Sequence, residues 1–115
     1  KNNMMIFAGD LPEGSHVRFM KANLDRLIDA ANDAANACLQ MNPDPKLGII
    51  VSCVGRKMVL GERVAEEVEI VRDVLGENTF LNGFYSYGEI SPVKPFGDCA
   101  LHNQTITITT VNEIR

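Results

Sequence analysis

Leu47-Gly48-Ile49-Ile50-Val51-Ser52-Cys53-Val54 is the longest apolar, β-branched run in the chain. A near-continuous run of this kind predicts a central strand, covered on both faces or seated inside a mixed sheet. Its flanks narrow the fold further. Before it, Leu24, Leu27, Ile28, Ala31, Ala35 and Cys38 recur at helical spacing, with Asp25, Asp29, Asn32, Asp33 and Asn36 on the opposite side. Asn23 is a good N-cap, Asp25 suits the first turn, and Asn42-Pro43-Asp44-Pro45 stops the helix. The alanine-rich stripe lets this helix approach a sheet closely. After the run, Gly55-Arg56-Lys57 closes the strand. A second helix is predicted from Glu62 to Leu75, with Val64, Val68, Val71 and Leu75 as its stripe and Gly76 as its C-cap.

The remaining segments read as strands. Met4–Ala8 is a short apolar run ended by turn formers, and His16–Met20 alternates with Val17 and Phe19 on one face. They are expected to pair antiparallel. Phe80–Glu89 is a further strand, and Ser91–Asp98 a loop. His102–Val111 is the last strand, with Ile106 and Ile108 facing one way and Thr105, Thr107 and Thr109 the other. The order is β-β-α-β-α-β-β. The expected fold is α+β, an α/β two-layer sandwich: a five-stranded mixed sheet with both helices on one face, because two strands alternate and want one wet or partner-covered side. The helical connections are expected to be right-handed crossovers.

At 115 residues the chain has the size of a single domain, and a hydrophobic content of 45% suffices for a core. Fifteen acidic and eleven basic side chains give a net charge of −4 with no basic cluster, which argues against nucleic acid. No apolar run reaches the roughly 20 residues that span a bilayer, so no membrane partner is expected. Cys38, Cys53 and Cys99 are odd in number and lack C-x-x-C spacing, so neither a disulfide framework nor a zinc site is expected. A reducing, cytoplasmic compartment fits best. The opening Lys1-Asn2-Asn3 reads as a piece of a longer protein whose N-terminal half is absent.

The polar chemistry gathers in the last third. Gly83-Phe84-Tyr85-Ser86-Tyr87-Gly88-Glu89 brackets both tyrosines of the protein between glycines and ends on a carboxylate. Glycine inside a strand marks a close approach of a ligand or another backbone. In extended chain Tyr85 and Tyr87 point to the same face. Leu101-His102-Asn103-Gln104-Thr105 is a second polar run. If the two segments pair, Tyr85, Tyr87, Gly88, Glu89, His102 and Asn103 form one ligand-binding patch, with Glu89 for a cation and Asn103 to fix orientation. Arg56, at the carboxyl end of the central strand, is an outlying member whose planar fork suits a carboxylate. The plainer alternatives are local: tyrosine packing, a surface ion pair for Glu89, a loop carbonyl for His102, a surface role for Arg56.

Gly83–Ile90, together with Leu101–Thr105 and the Thr/Ile strand after it, resembles the C-terminal part of FIST domains, the F-box and intracellular signal transduction proteins. Ser52-Cys53-Val54-Gly55-Arg56, Leu60-Gly61, Glu66-Glu67 and the opening Ala8–Gly14 with Val17-Arg18-Phe19 support it. The resemblance covers nearly the whole chain. It implies a sensory domain that binds small ligands such as amino acids, with a site at the seam to an N-terminal half. It carries over no catalytic residue.

The leading expectation is therefore a single domain, residues 1–115, that binds an amino-acid-like ligand without chemistry of its own and without a cofactor. The alternative is a structural module whose patch docks the missing N-terminal half or a homodimer partner. An enzyme reading makes Cys53 the nucleophile, His102 the base and Glu89 the orienting group. No nucleophile elbow, phosphate loop or metal-ligand motif accompanies it.

Overall fold

The apolar run does form the middle of a sheet. In the computed structural model, which describes residues 3–7, 9–93 and 97–113, β1 spans Leu47–Cys53. It lies between β2 (Phe80–Ser86), parallel to it, and β5 (Ile106–Val111), antiparallel. Lys46 joins both neighbours just before β1: its N–H donates to the Val111 carbonyl and its carbonyl accepts from Phe80. The mixed sheet has the order β2-β1-β5. A second, two-stranded sheet pairs β3 (Glu89–Pro92) with β4 (Cys99–His102) antiparallel.

The helices form for the reasons visible in sequence. Helix α1, Leu24–Met41, starts where the Asn23 side chain accepts the Arg26 N–H at 3.1 Å. Ala31 and Ala35, both 0% exposed, let it settle against α3 (Val64–Leu75) and β5. Helix α3 ends at Gly76, whose φ of 83° lies in the left-handed region that glycine tolerates. Thr79 then ties the end of α3 to the start of β1, its hydroxyl 2.8 Å from the Leu75 carbonyl and 2.9 Å from that of Pro45.

Both long helices lie on one face of the sheet. Ile50, its cross-strand partner Ile108 and Leu81 meet Ala31, Ala35, Val71 and Leu75 in one core. Full burial of a Val, Leu or Ile side chain contributes about 1.5–3 kcal/mol. Among the described residues no helix covers the opposite face. Leu47, Ile49 and Val51 alternate onto it from β1, and Phe80 and Phe84 of β2 remain 80% and 63% exposed there. The central strand is thus covered on one face by helices and uncovered on the other.

The fold is α+β with five strands in mixed sheets, as expected, but three details differ. First, residues 3–7 and 9–23 form no strand, and every described residue among them up to Ala22 is exposed. An isolated hairpin is marginal without a third strand or a packed helix, and no sheet edge of this chain receives it. Ala8, the end of the first expected strand, lies outside the described residues. Second, the C-terminal third makes four strands rather than two, because the chain bends at Tyr87 and again after Pro92. The five strands therefore form a three-stranded sheet and a hairpin, not one sheet. Third, Gly55-Arg56-Lys57 does not end in a loop. It lies in an additional helix α2 (Val54–Leu60), followed by a 3-10 turn at Gly61–Arg63. One β-α-β connection, from β1 through α2 and α3 to β2, remains of the two expected.

Gly83 has no room for a side chain. A Cβ there would come within 2.1 Å of the Ile50 carbonyl oxygen on the neighbouring strand. The glycine marks a close approach of backbone to backbone. Gly83→Ala should therefore lower unfolding free energy by about 2 kcal/mol or more, the cost of forcing atoms into a packed site; urea unfolding of both proteins followed by circular dichroism measures it.

Candidate functional site

The carboxyl end of β1 delivers Ser52 and Cys53 into the interior, and α2 then turns Arg56 back under the helices. Arg56 and Glu67 are 2% and 1% exposed. The Arg56 Nε donates to Glu67 Oε1 at 2.5 Å, one terminal nitrogen donates to the Leu27 carbonyl at 2.6 Å, and the other reaches the Gln104 carbonyl at 3.5 Å. The second Glu67 oxygen accepts the Ser52 hydroxyl at 2.8 Å. Glu67 also sits in the first turn of α3, where the helix dipole favours a carboxylate. Two buried charges are tolerable because each is paired and hydrogen-bonded. Among the described residues no buried side-chain nitrogen or oxygen lacks a partner. Arg56 is thus an internal clamp joining α1, α2, α3 and the turn before β5, rather than a surface arginine.

Glu89 is enclosed in the same way. It is 3% exposed, accepts the Ser86 hydroxyl on one oxygen and takes the Thr105 hydroxyl at 2.6 Å on the other. Its cross-strand neighbour is His102, whose Nε2 lies 3.1 Å from the Ser91 carbonyl. Gly88 packs near Leu101 and Asn103, and a Cβ on Gly9 would lie 3.5 Å from the Asn103 amide. Gln104 takes a φ of 58° to turn the chain into β5, and the Thr105 carbonyl accepts the Cys53 N–H at 3.0 Å. Gly88, Glu89, His102 and Asn103 therefore do gather, on the β3–β4 hairpin and its exit, and Arg56 reaches them through Gln104.

The two tyrosines part company. Strand β2 ends at Ser86, so the alternation that would align Tyr87 with Tyr85 stops there, and Tyr87 is 88% exposed. Tyr85 pairs with Ser52 across β1 and lies half-buried on the helix-covered face. Burial first, and the Glu67 charge second, push its phenol above the usual tyrosine range. Lys57 Nζ stands 4.7 Å over its ring, a distance suited to cation–π attraction.

Tyr85 opens onto a recess of about 350 Å3 between α3 and β2. Ile50 and Ser52 form its floor, Glu67 and Val68 one wall, and Leu81 to Tyr85 the other. A shallower recess of about 290 Å3 lies behind it on the bare face, against Leu47, Ile49 and Phe84. The sequence reading missed Ser52, Glu67 and Asn82 as lining groups. The in-strand Gly83 and the tyrosine two residues on, Tyr85, were the local signals pointing here. Cys53 caps α2, its sulfur accepting the Gly55 N–H at 3.3 Å, and no hydrogen bond joins it to His102 among the described residues. Cys99 is exposed on β4, Cys38 is half-buried and Cys53 buried, and all three thiols are free. No described helix is long and apolar enough to cross a membrane.

Two helices over one face of a mixed sheet, with a small recess beside the edge strand, define a two-layer α+β domain with a site of metabolite size. Against protein-family models, residues 1–92 match the FIST C domain, and the chain belongs to that family, which is associated with sensory domains of signal transduction. The match includes Gly83–Ile90 and stops short of Leu101. Comparison with curated proteins and with solved structures returns no match.

Breaking the buried pair from one side should be costly. Arg56→Met or Glu67→Leu alone is expected to lose about 3–5 kcal/mol, and the double replacement to recover most of it; denaturant melts of the three variants decide. The raised Tyr85 phenol makes a second test. Its stabilising contribution is complete below the ordinary tyrosine range and is lost as pH climbs through the raised folded value. Alkaline absorbance titration should show a late phenolate component that Tyr85→Phe removes, and the variant should lose less stability on the alkaline side.

Proposed function

We propose that this chain is a small-ligand-binding sensory domain of an intracellular signal-transduction protein, and that an amino acid or similar metabolite occupies the recess between α3 and β2. The observation that carries the reading is the make-up of that recess: apolar surface from Ile50, Val68 and Leu81, with the Ser52 hydroxyl and the half-buried Tyr85 lining it. Small-molecule sites combine such walls with a few placed polar groups. Lys57 over the Tyr85 ring supplies a cation beside it that suits a carboxylate. Of the patch expected from sequence, Tyr85 becomes the ligand contact. Arg56, Glu89, His102 and Asn103 become the frame, since Arg56, Glu89 and His102 already have internal partners.

The recess shares Ser52 and Glu67 with the buried Arg56 clamp. A ligand pressing on Ser52 acts on a group tied to α1, α2 and α3 together, which gives binding a route to a signalling output. The function needs no bond-making, and the domain serves as a binding module. Three free thiols accord with a reducing, cytoplasmic setting.

A panel of amino acids screened by thermal shift should contain members that raise the melting temperature saturably, as mass action requires. Tyr85→Ala and Lys57→Ala should each weaken that ligand about tenfold or more, which is about 1.4 kcal/mol, by calorimetric titration. A panel without effect on both this chain and the intact protein would remove the reading.

A further inference from the structure

The N-terminal stretch and the bare sheet face answer each other. Between Met4 and Met20 eight large apolar side chains are 46–95% exposed. They form an arm that stands off the packed body: the radius of gyration is 16.1 Å and the long axis 60 Å, whereas a compact chain of this length measures about 13 Å. Exposed contiguous apolar surface of this kind marks an interaction site. Along the arm, Val17 and Phe19 are spaced by two, the period of a strand. Phe80 and Phe84 of β2 show the matching period on the bare face, beside an edge strand with no neighbour on its outer side.

From this pairing we propose that two copies of the chain exchange arms, each arm packing onto the bare face beside β2 of the other copy. The area supports a stable assembly. Each arm presents on the order of 1,000 Å2 of apolar surface, eight large side chains at 46–95% exposure, and burying about half of each arm against a face of similar extent removes on the order of 2,000 Å2 in the pair. The sum falls within the roughly 1,200–2,000 Å2 of stable specific interfaces. The exchange is reciprocal, so it closes with two-fold symmetry and leaves no further arm or face open. It also gives residues 16–20 the strand neighbour they lack within their own chain.

Sedimentation of the chain, of Phe19→Asp, of Phe80→Asp and of an equal mixture of the two variants tests the exchange. The unaltered chain should sediment at twice 12.7 kDa. Each variant should fall to the monomer mass with its circular dichroism unchanged, because both side chains are exposed within one copy. The mixture should regain a dimer fraction absent from either variant alone, since one of its two crossings joins the sound arm of the Phe80→Asp copy to the sound face of the Phe19→Asp copy. If Phe80→Asp loses its dichroism signal, Phe80→Ser replaces it with the same expectations. A monomeric unaltered chain overturns the proposal. A Phe19→Asp variant that stays dimeric, or a mixture that stays monomeric, overturns it equally and points to direct contact between faces.

Discussion

The buried contact between Arg56 and Glu67 is the constraint around which this domain is assembled. Removing two charges from water is expensive, and the attraction between them repays it only when every remaining donor and acceptor finds a partner. That condition selects one arrangement of the surrounding chain. The guanidinium reaches its carbonyl partners only if the Leu27 turn of α1 and the Gln104 turn before β5 both come to it. The carboxylate is complete only if Ser52 points inward at the end of β1. A single pair thus sets the relative position of the helices, the central strand and the last turn.

The recess is a by-product of the same geometry. Glu67 is held toward the sheet by Ser52 and Arg56, and the recess lies between it and β2. The glycine beside the recess is there because the Ile50 backbone comes too close for a Cβ. Tyr85 lies half-buried at this opening, near enough to the Glu67 charge to feel it and to Lys57 to stack with it.

A domain this small buries few large side chains, and much apolar surface stays outside. Helices cover one face of the sheet only, because the alanine stripe of α1 lets both long helices fit side by side there. The other face and the arm are left with exposed apolar groups, Phe80, Phe84 and Phe19 among them. The hairpin of β3 and β4 is held instead by polar contacts, with Glu89 satisfied by Ser86 and Thr105 at its base.

Local rules were enough to place α1, its Asn23 cap, the Gly76 end of α3, the central position of β1 and the inward face of β5, because periodicity and capping act within a few residues. They were also enough to single out Gly83, Tyr85 and Glu89 as unusual. They failed for Met4–Phe7 and His16–Met20, where an apolar run and an alternating one suggested strands but a strand exists only beside another strand. They failed for Val54–Leu60, where a seven-residue helix carries too short a pattern to be read. Whether Arg56 faces water or a carboxylate eleven residues away, and whether Glu89 meets a ligand or two hydroxyls of its own chain, depends on which distant segments arrive together. Those outcomes were decided by tertiary packing, since a charge takes the partner that burial brings to it, and burial belongs to the whole fold.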